Sequence, residues 1–213
     1  MSESVKKTNR TNPDSYSPDT PKMMDMLEEA NNNMAQQIVT ESGLINFTIE
    51  KCGPYRFIGK SVYIGNKKGS EGIFNFIWGQ QSGWVFKQLD SMKEYTSDEV
   101  HNAAIITWEK YDDKNELFGY YVGRFMRADT PLPQNVEIDY FDIPEGYMAK
   151  AWHKGNINKR HGIFWYKDFL VDGAIEQTGT YRKDFLWSAE ICLNPDENGD
   201  AMIGAYMPCE RIK

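Results

Sequence analysis

Cysteine is scarce in this 213-residue chain: Cys52, Cys192 and Cys209 are the whole complement. An odd count without CxxC spacing argues against a disulfide framework or a cysteine zinc site and fits a reducing cytoplasm. Histidine is equally scarce. His101, His153 and His161 are scattered without ligand spacing, so no metal site and no Ser-His-Asp arrangement are expected, and His153 and His161 read as surface residues. No GxGxxG or GxxxxGK pattern is present, which leaves no phosphate loop and no expected cofactor. Positive charge is short: 24 Lys and Arg against 31 Asp and Glu give a net charge of -7. Phosphate binding needs clustered basic residues, so nucleic acid is not an expected partner. No apolar run approaches the ~18 residues of a membrane span, and the polar N-terminus lacks a signal-peptide core. The acidic run Asp196–Asp200 lacks the spacing of a calcium loop and reads as a turn.

Aromatic residues are plentiful instead, with six Trp, twelve Tyr and eleven Phe. They can fill a core or line a pocket for flat or cationic ligands. Residues 1–21 are polar and proline-containing and read as a disordered tail. Residues 22–42 carry Met23, Met26, Leu27, Ala30, Met34 and Ile38 at helical spacing, the pattern of an amphipathic helix weakened by Asn31–Asn33.

From residue 46 the chain repeats itself. Pro54 and Pro144, Lys60 and Lys150, Gly65 and Gly155, and Asn66 and Asn156 are each 90 residues apart, as are Gly72-Ile73-Phe74 and Gly162-Ile163-Phe164. Towards the ends of the halves Gly119 and Gly204, and Tyr121 and Tyr206, match at 85. A shared register points to duplication, with repeat one at about 46–127 and repeat two at about 137–210. Each half reads in one order: an extended segment (47–64; 137–154), a helix (about 70–90; about 158–173), then two strands around a turn (103–110 and 116–127; 183–193 and 201–209). A β-α-β-β unit occurring twice predicts an α+β fold, an antiparallel sheet with both helices on one face.

Strand alternation then assigns faces. In 185–193 the odd positions Phe185, Trp187, Ala189, Ile191 and Leu193 are apolar and are expected under the helices. Leu186, Ser188, Glu190 and Cys192 are expected on the other face. Carrying the offset of 85 back places Ala104, Ile106 and Trp108 under the helices, with Ala103, Ile105, Thr107 and Glu109 opposite. Gly204 and Tyr206, with Gly119, Tyr121 and Gly123, fall on that second face, as do Met148, Lys150 and Trp152 if Ala149 and Ala151 lie against a helix. Glycines there would leave room for an approaching group. The expectation is a ligand cleft between the pseudo-twofold-related halves, with Glu190 as its asymmetric element opposite Ile105 of the first half.

At these residues the chain resembles a known family. Ile143-Pro-Glu-Gly-Tyr-Met-Ala-Lys-Ala-Trp-His-Lys-Gly155, Phe118-Gly-Tyr-Tyr-Val-Gly123, the strand around Glu190, and Gly204-Ala-Tyr-Met-Pro208 are similar, in that order, to elements of the GyrI-like small-molecule-binding domains. These are the effector-binding domains of AraC- and MerR-type multidrug regulators. Met148 and Cys192 stand where the family has tyrosines. The resemblance implies a tandem β-α-β-β domain over 46–213 with a ligand cleft, Glu190 at the family's glutamate position. With only about 45 residues ahead of it, a stand-alone member without its own DNA-binding module is expected.

Two functions follow. The first is a cytoplasmic sequestering or sensing domain that binds a hydrophobic small molecule, a cationic one included, through Glu190, Tyr121, Tyr206, Trp152, Met148 and Ile105. A carboxylate among aromatic rings attracts a cation. The alternative is a hydrolase opening strained cyclopropane-bearing DNA-alkylating compounds, with Glu190 activating water and a tyrosine, Tyr121 or Tyr206, as oxyanion partner. The 22–42 helix leaves dimerisation open, and the acidic surface leaves open a protein partner such as a DNA-handling enzyme.

Overall fold

A computed structural model describes residues 44–65, 76–99, 101–112, 117–133, 137–156, 163–184, 186–193 and 195–212. The tail at 1–21, the helix expected over 22–42 and His161 lie outside the described residues. Among the described residues nine strands form one antiparallel sheet: β1 (Asn46–Cys52), β2 (Tyr55–Gly65), β3 (Asn102–Asp112), β4 (Leu117–Arg127), β5 (Asp139–Ile143), β6 (Gly146–Asn156), β7 (Tyr181–Lys183), β8 (Trp187–Leu193) and β9 (Asp200–Arg211). The order across the sheet is β1-β6-β9-β8-β3-β4-β2-β5, with β7 paired to the end of β9.

The extended segment expected at the start of each repeat is broken in two. Gly53-Pro54 separates β1 from β2, and Pro144 separates β5 from β6. Proline supplies no ladder donor, so pairing stops there. Each leading strand then pairs with the other repeat: β1 with β6 and β5 with β2. The repeats thus exchange their first strands, and they meet directly where β3 pairs with β8.

Among the described residues two α-helices cover one face. A π-helical turn, Ile77–Gln81, runs into α1 (Ser82–Asp90), and α2 spans Ile163–Gln177. Gly79 lies in the π turn, where the Ser82 hydroxyl donates to the Trp78 carbonyl. α2 ends at Thr178-Gly179, where Gly179 takes φ +61 and its N–H donates to Glu176 O, a conformation that a residue without Cβ adopts at low cost. Val171, Ala174 and Ile175 of α2 pack on Ala149, Ala151, Ala205 and Met207. Ile77, with Val85 and Leu89 of α1, covers Ala104, Tyr120 and Val122, and Ile58 and Met126. Each such large apolar side chain contributes about 1.5–3 kcal/mol by leaving water. Among the described residues no helix is long and apolar enough to cross a membrane.

Candidate functional site

The second face of the sheet is aromatic. Directly opposed residues in an antiparallel ladder share a face. Ile105 stands opposite both Tyr121 and Ala189, and Ala189 stands opposite Tyr206. The row continues to Ser61 across from Tyr121 and to Lys150 across from Tyr206. It therefore runs Ser61–Tyr121–Ile105–Ala189–Tyr206–Lys150 over six strands, nearly symmetric about the β3–β8 seam.

Rings gather beside this row. Phe125 is the hub, with ring centroids 5.1 Å from Phe57, 5.6 Å from Tyr55, 5.9 Å from Trp187 and 6.4 Å from Tyr206. Phe141 lies 5.2 Å from Tyr121, and Trp152 lies 6.1 Å from Tyr206. These spacings are those of favourable ring pairs. Tyr121, Tyr206, Trp152, Met148 and Ile105 are thus brought together on one face, in a cluster that includes residues of both repeats.

Glu190 is not among them. It stands opposite Ala104 and Ala205, both in the helix-side packing, and its charge acts on Tyr120 of that same side. Trp187, Ala189 and Ile191, expected under the helices, belong to the aromatic cluster, with Leu193 packed against it. Both faces of β8 are buried, so the apolarity of its odd positions does not fix their side, and the second hairpin is one residue longer than the first. Ile105 precedes Tyr121 by 16 positions and Ala189 precedes Tyr206 by 17, so β3 and β8 correspond at 84, not 85. A one-residue slip exchanges the faces of a whole strand. The counterpart of Glu190 is Ile106, not Ile105. Glu190 faces the opposite side of the sheet from both Tyr121 and Tyr206, so the acid–tyrosine pair that the hydrolase reading needs is not assembled.

The matching of β2 with β6 slips as well. Tyr121 opposes Ser61 and Tyr206 opposes Lys150, which makes Ser61, not Lys60, the counterpart of Lys150. The glycines do not leave the expected room. A Cβ on Gly204 would stand 2.9 Å from the Trp152 indole, and one on Gly123 would stand 2.7 Å from Gly59 Cα. His153, expected at the surface, is buried in β6 opposite Ile203.

A buried carboxylate on the aromatic side is Glu99, 7 % exposed. It sits in the segment leading into β3, tied to β4 by a bridge between Thr96 and Met126. The Ser97 hydroxyl donates to Phe125 O at 2.7 Å, and the Glu99 N–H donates to Ser97 Oγ at 3.1 Å. Lys150 Nζ donates to Glu99 and lies 3.0 Å from Glu50 Oε1. It also stands 5.5 Å from the centroid of the Tyr206 ring. Phe125, Phe57 and Tyr55 could have been found by extending the alternation of β4 and β2. Glu99 lies outside any periodic element.

No family model matches the chain, and no curated protein matches it. Solved structures do. SAV2435 bound to tetraphenylphosphonium aligns over 78% of this chain and 94% of its own, with TM-score 0.53 and 9% identity. The EcmrR C-terminal domain aligns over 78% and 98%, with TM-score 0.50 and 10% identity. The chain has the GyrI-like fold. A hydrolase encoded by lin2189 from Listeria innocua aligns over 77% and 91% with TM-score 0.44 and 10% identity, a likeness too distant to bear on chemistry.

Within the GyrI-like fold the electrostatics concentrate at the Lys150 end of the row. Burial works to lower the Lys150 pKa, but its hydrogen bonds to Glu99 and Glu50 outweigh this and hold it above the ordinary lysine value. Burial, and then the Glu99 charge, push the Tyr206 phenol well above its usual range, so it stays a neutral hydroxyl. Burial likewise raises the Cys52 thiol, against the opposing pull of Lys150. Two carboxylates against one ammonium leave this corner of the GyrI-like sheet with one surplus negative charge.

Proposed function

We propose that this chain is a small-molecule-binding domain whose ligand is a hydrophobic aromatic cation held on the aromatic face between the two repeats. The observation that carries the reading is the row Tyr121–Ile105–Ala189–Tyr206, flanked by linked rings from both halves. A cation over a tyrosine or tryptophan face gains about 0.5–2 kcal/mol, more as water is excluded. Tyr121, Tyr206, Trp152, Met148 and Ile105 supply the apolar contact, and Glu99 takes the electrostatic part first assigned to Glu190. The net charge of -7 favours cations at long range and disfavours DNA. The domain therefore acts by sequestering or sensing its ligand, without touching DNA itself. The ligand carried by SAV2435, tetraphenylphosphonium, is a suitable first probe.

Titration followed through the emission of Trp152 and Trp187 tests this. Tyr206→Ala is expected to weaken binding roughly tenfold, as loss of a central aromatic anchor does. If neither tetraphenylphosphonium nor a neutral aromatic of similar size binds, or if Tyr206→Ala leaves the affinity of both unchanged, the reading is wrong.

A further inference from the structure

We infer that Lys150 is a built-in competitor for the ligand's cation, and so decides which ligands the aromatic face accepts. The inference rests on the aromatic face being the ligand site. Lys150 and Tyr206 are cross-strand partners, and the Lys150 ammonium stands 5.5 Å from the centre of the Tyr206 ring. The same ammonium donates to Glu99, whose side chain is 9% exposed. The ring face and the buried carboxylate are the two groups best suited to recognise a ligand cation. Here both are engaged by a cation belonging to the chain.

The corresponding place in the other repeat is built differently. Ser61 stands opposite Tyr121, and its hydroxyl donates to Asp139 at 2.8 Å. That end of the row presents a neutral side chain. The near-symmetric row thus ends in an ammonium on one side and in a hydroxyl bonded to a carboxylate on the other, and Lys150 is its asymmetric element.

Glu50 gives the displaced ammonium a place to go. It lies 3.0 Å from Lys150 Nζ and is half exposed, with 51% of its side chain accessible. A ligand cation can take Tyr206 and Glu99 while Lys150 keeps one carboxylate partner near water. That exchange conserves charge pairing on both sides. Its balance then depends on what else the ligand buries. A small alkylammonium offers the same chemistry as Lys150 and gains little. A large aromatic cation adds ring contacts with Phe125, Trp152 and Trp187 and wins the exchange. A neutral aromatic has no charge to exchange and leaves Lys150 in place. The geometry therefore selects bulky aromatic cations over small ones.

The test compares tetraphenylphosphonium with triphenylphosphine oxide, a neutral molecule with the same rings, on the native protein and on Lys150→Met. Removing the competitor is expected to tighten tetraphenylphosphonium about tenfold, the scale of one ion contact plus one cation–ring contact. The neutral probe should move less than about twofold. Unchanged or weaker binding of the cation by Lys150→Met overturns the inference.

Loss of Lys150 leaves Glu99 buried without its partner, which can prevent folding. A second measurement therefore uses the native protein: reductive methylation of Lys150, followed by mass spectrometry. Tetraphenylphosphonium is expected to speed modification at Lys150 as the ammonium moves toward half-exposed Glu50, and the neutral probe to leave it unchanged. Protection of Lys150 by the cation overturns the inference. If neither probe binds the native protein, the ligand reading fails and this inference falls with it. If both bind but Lys150 responds to neither, only this inference fails.

Discussion

Glu190 and Ala104 are cross-strand partners at the seam between the repeats, on the face where the helices pack. They lie one residue along the strands from the Ile105–Ala189 centre of the aromatic row, and therefore on the wrong side of the sheet to touch a ligand there. Glu190→Gln is accordingly expected to change the affinity for tetraphenylphosphonium by less than about twofold, within the usual scatter for a non-contacting site. Glu99→Gln, which removes a buried carboxylate on the aromatic side, is expected to weaken it several-fold. Parallel titrations check both, and a large effect of Glu190→Gln alone would reverse the assignment.

Two glycines on this face hold different neighbours apart. A Cβ on Gly204 meets the Trp152 indole, a side chain that can shift. A Cβ on Gly123 meets the Ile58 carbonyl oxygen and Gly59 Cα, which are backbone atoms of the paired strand. Gly204→Ala is expected to cost about 1–2 kcal/mol and to alter tryptophan emission. Gly123→Ala is expected to cost more than about 3 kcal/mol, because the ladder itself must open. Urea unfolding of the two variants gives the ranking, and equal costs would contradict it.

Much of this architecture is legible in the residues. The duplicated order of strand, helix and two strands is visible in the shared register of Pro54 with Pro144 and Tyr121 with Tyr206. The faces of β6 and β9 follow from Ala149 and Ala151, and from Ile203, Ala205 and Met207, because small or apolar residues alternate cleanly with the rest. Alternation fails for β8, where Leu186 to Leu193 is apolar on nearly every position and both faces are covered. There the apolar odd positions argue for the helix side, but with both faces buried apolarity does not decide the side, and those positions lie on the aromatic face. The exchange of β1 and β5 between repeats leaves no local trace, since pairing partners are a tertiary choice. Glu99 is silent for another reason: its burial comes from Ser97 bonding to Phe125, a contact made across 28 positions of chain.

The buried thiol of Cys209 ties stability to alkaline pH. In the unfolded chain it ionises near the ordinary value of 9.0, whereas burial under α2 pushes it up to about 12. Between those values the unfolded state has released its proton and the folded state has not, so stability falls as pH rises, by at most about 1.4 kcal/mol per pH unit. Below pH 9 both states hold the proton and this contribution is flat. Lys150 acts in the same sense at higher pH: its raised folded pKa means that stability present below the ordinary lysine value is lost above it. Chemical denaturation at pH 8 and pH 11 should show Cys209→Ala losing about 1–2 kcal/mol less than the native protein. Identical losses would show that the thiol does not titrate as its burial requires.

The central claim is the place of the ligand. A crystal structure of the protein with tetraphenylphosphonium tests it most directly. The account predicts density on the aromatic face, in contact with Tyr206 and Trp152 and beside Glu99, with Lys150 turned toward Glu50. Density on the helix-covered face at Glu190, or none at saturating concentration, would contradict it.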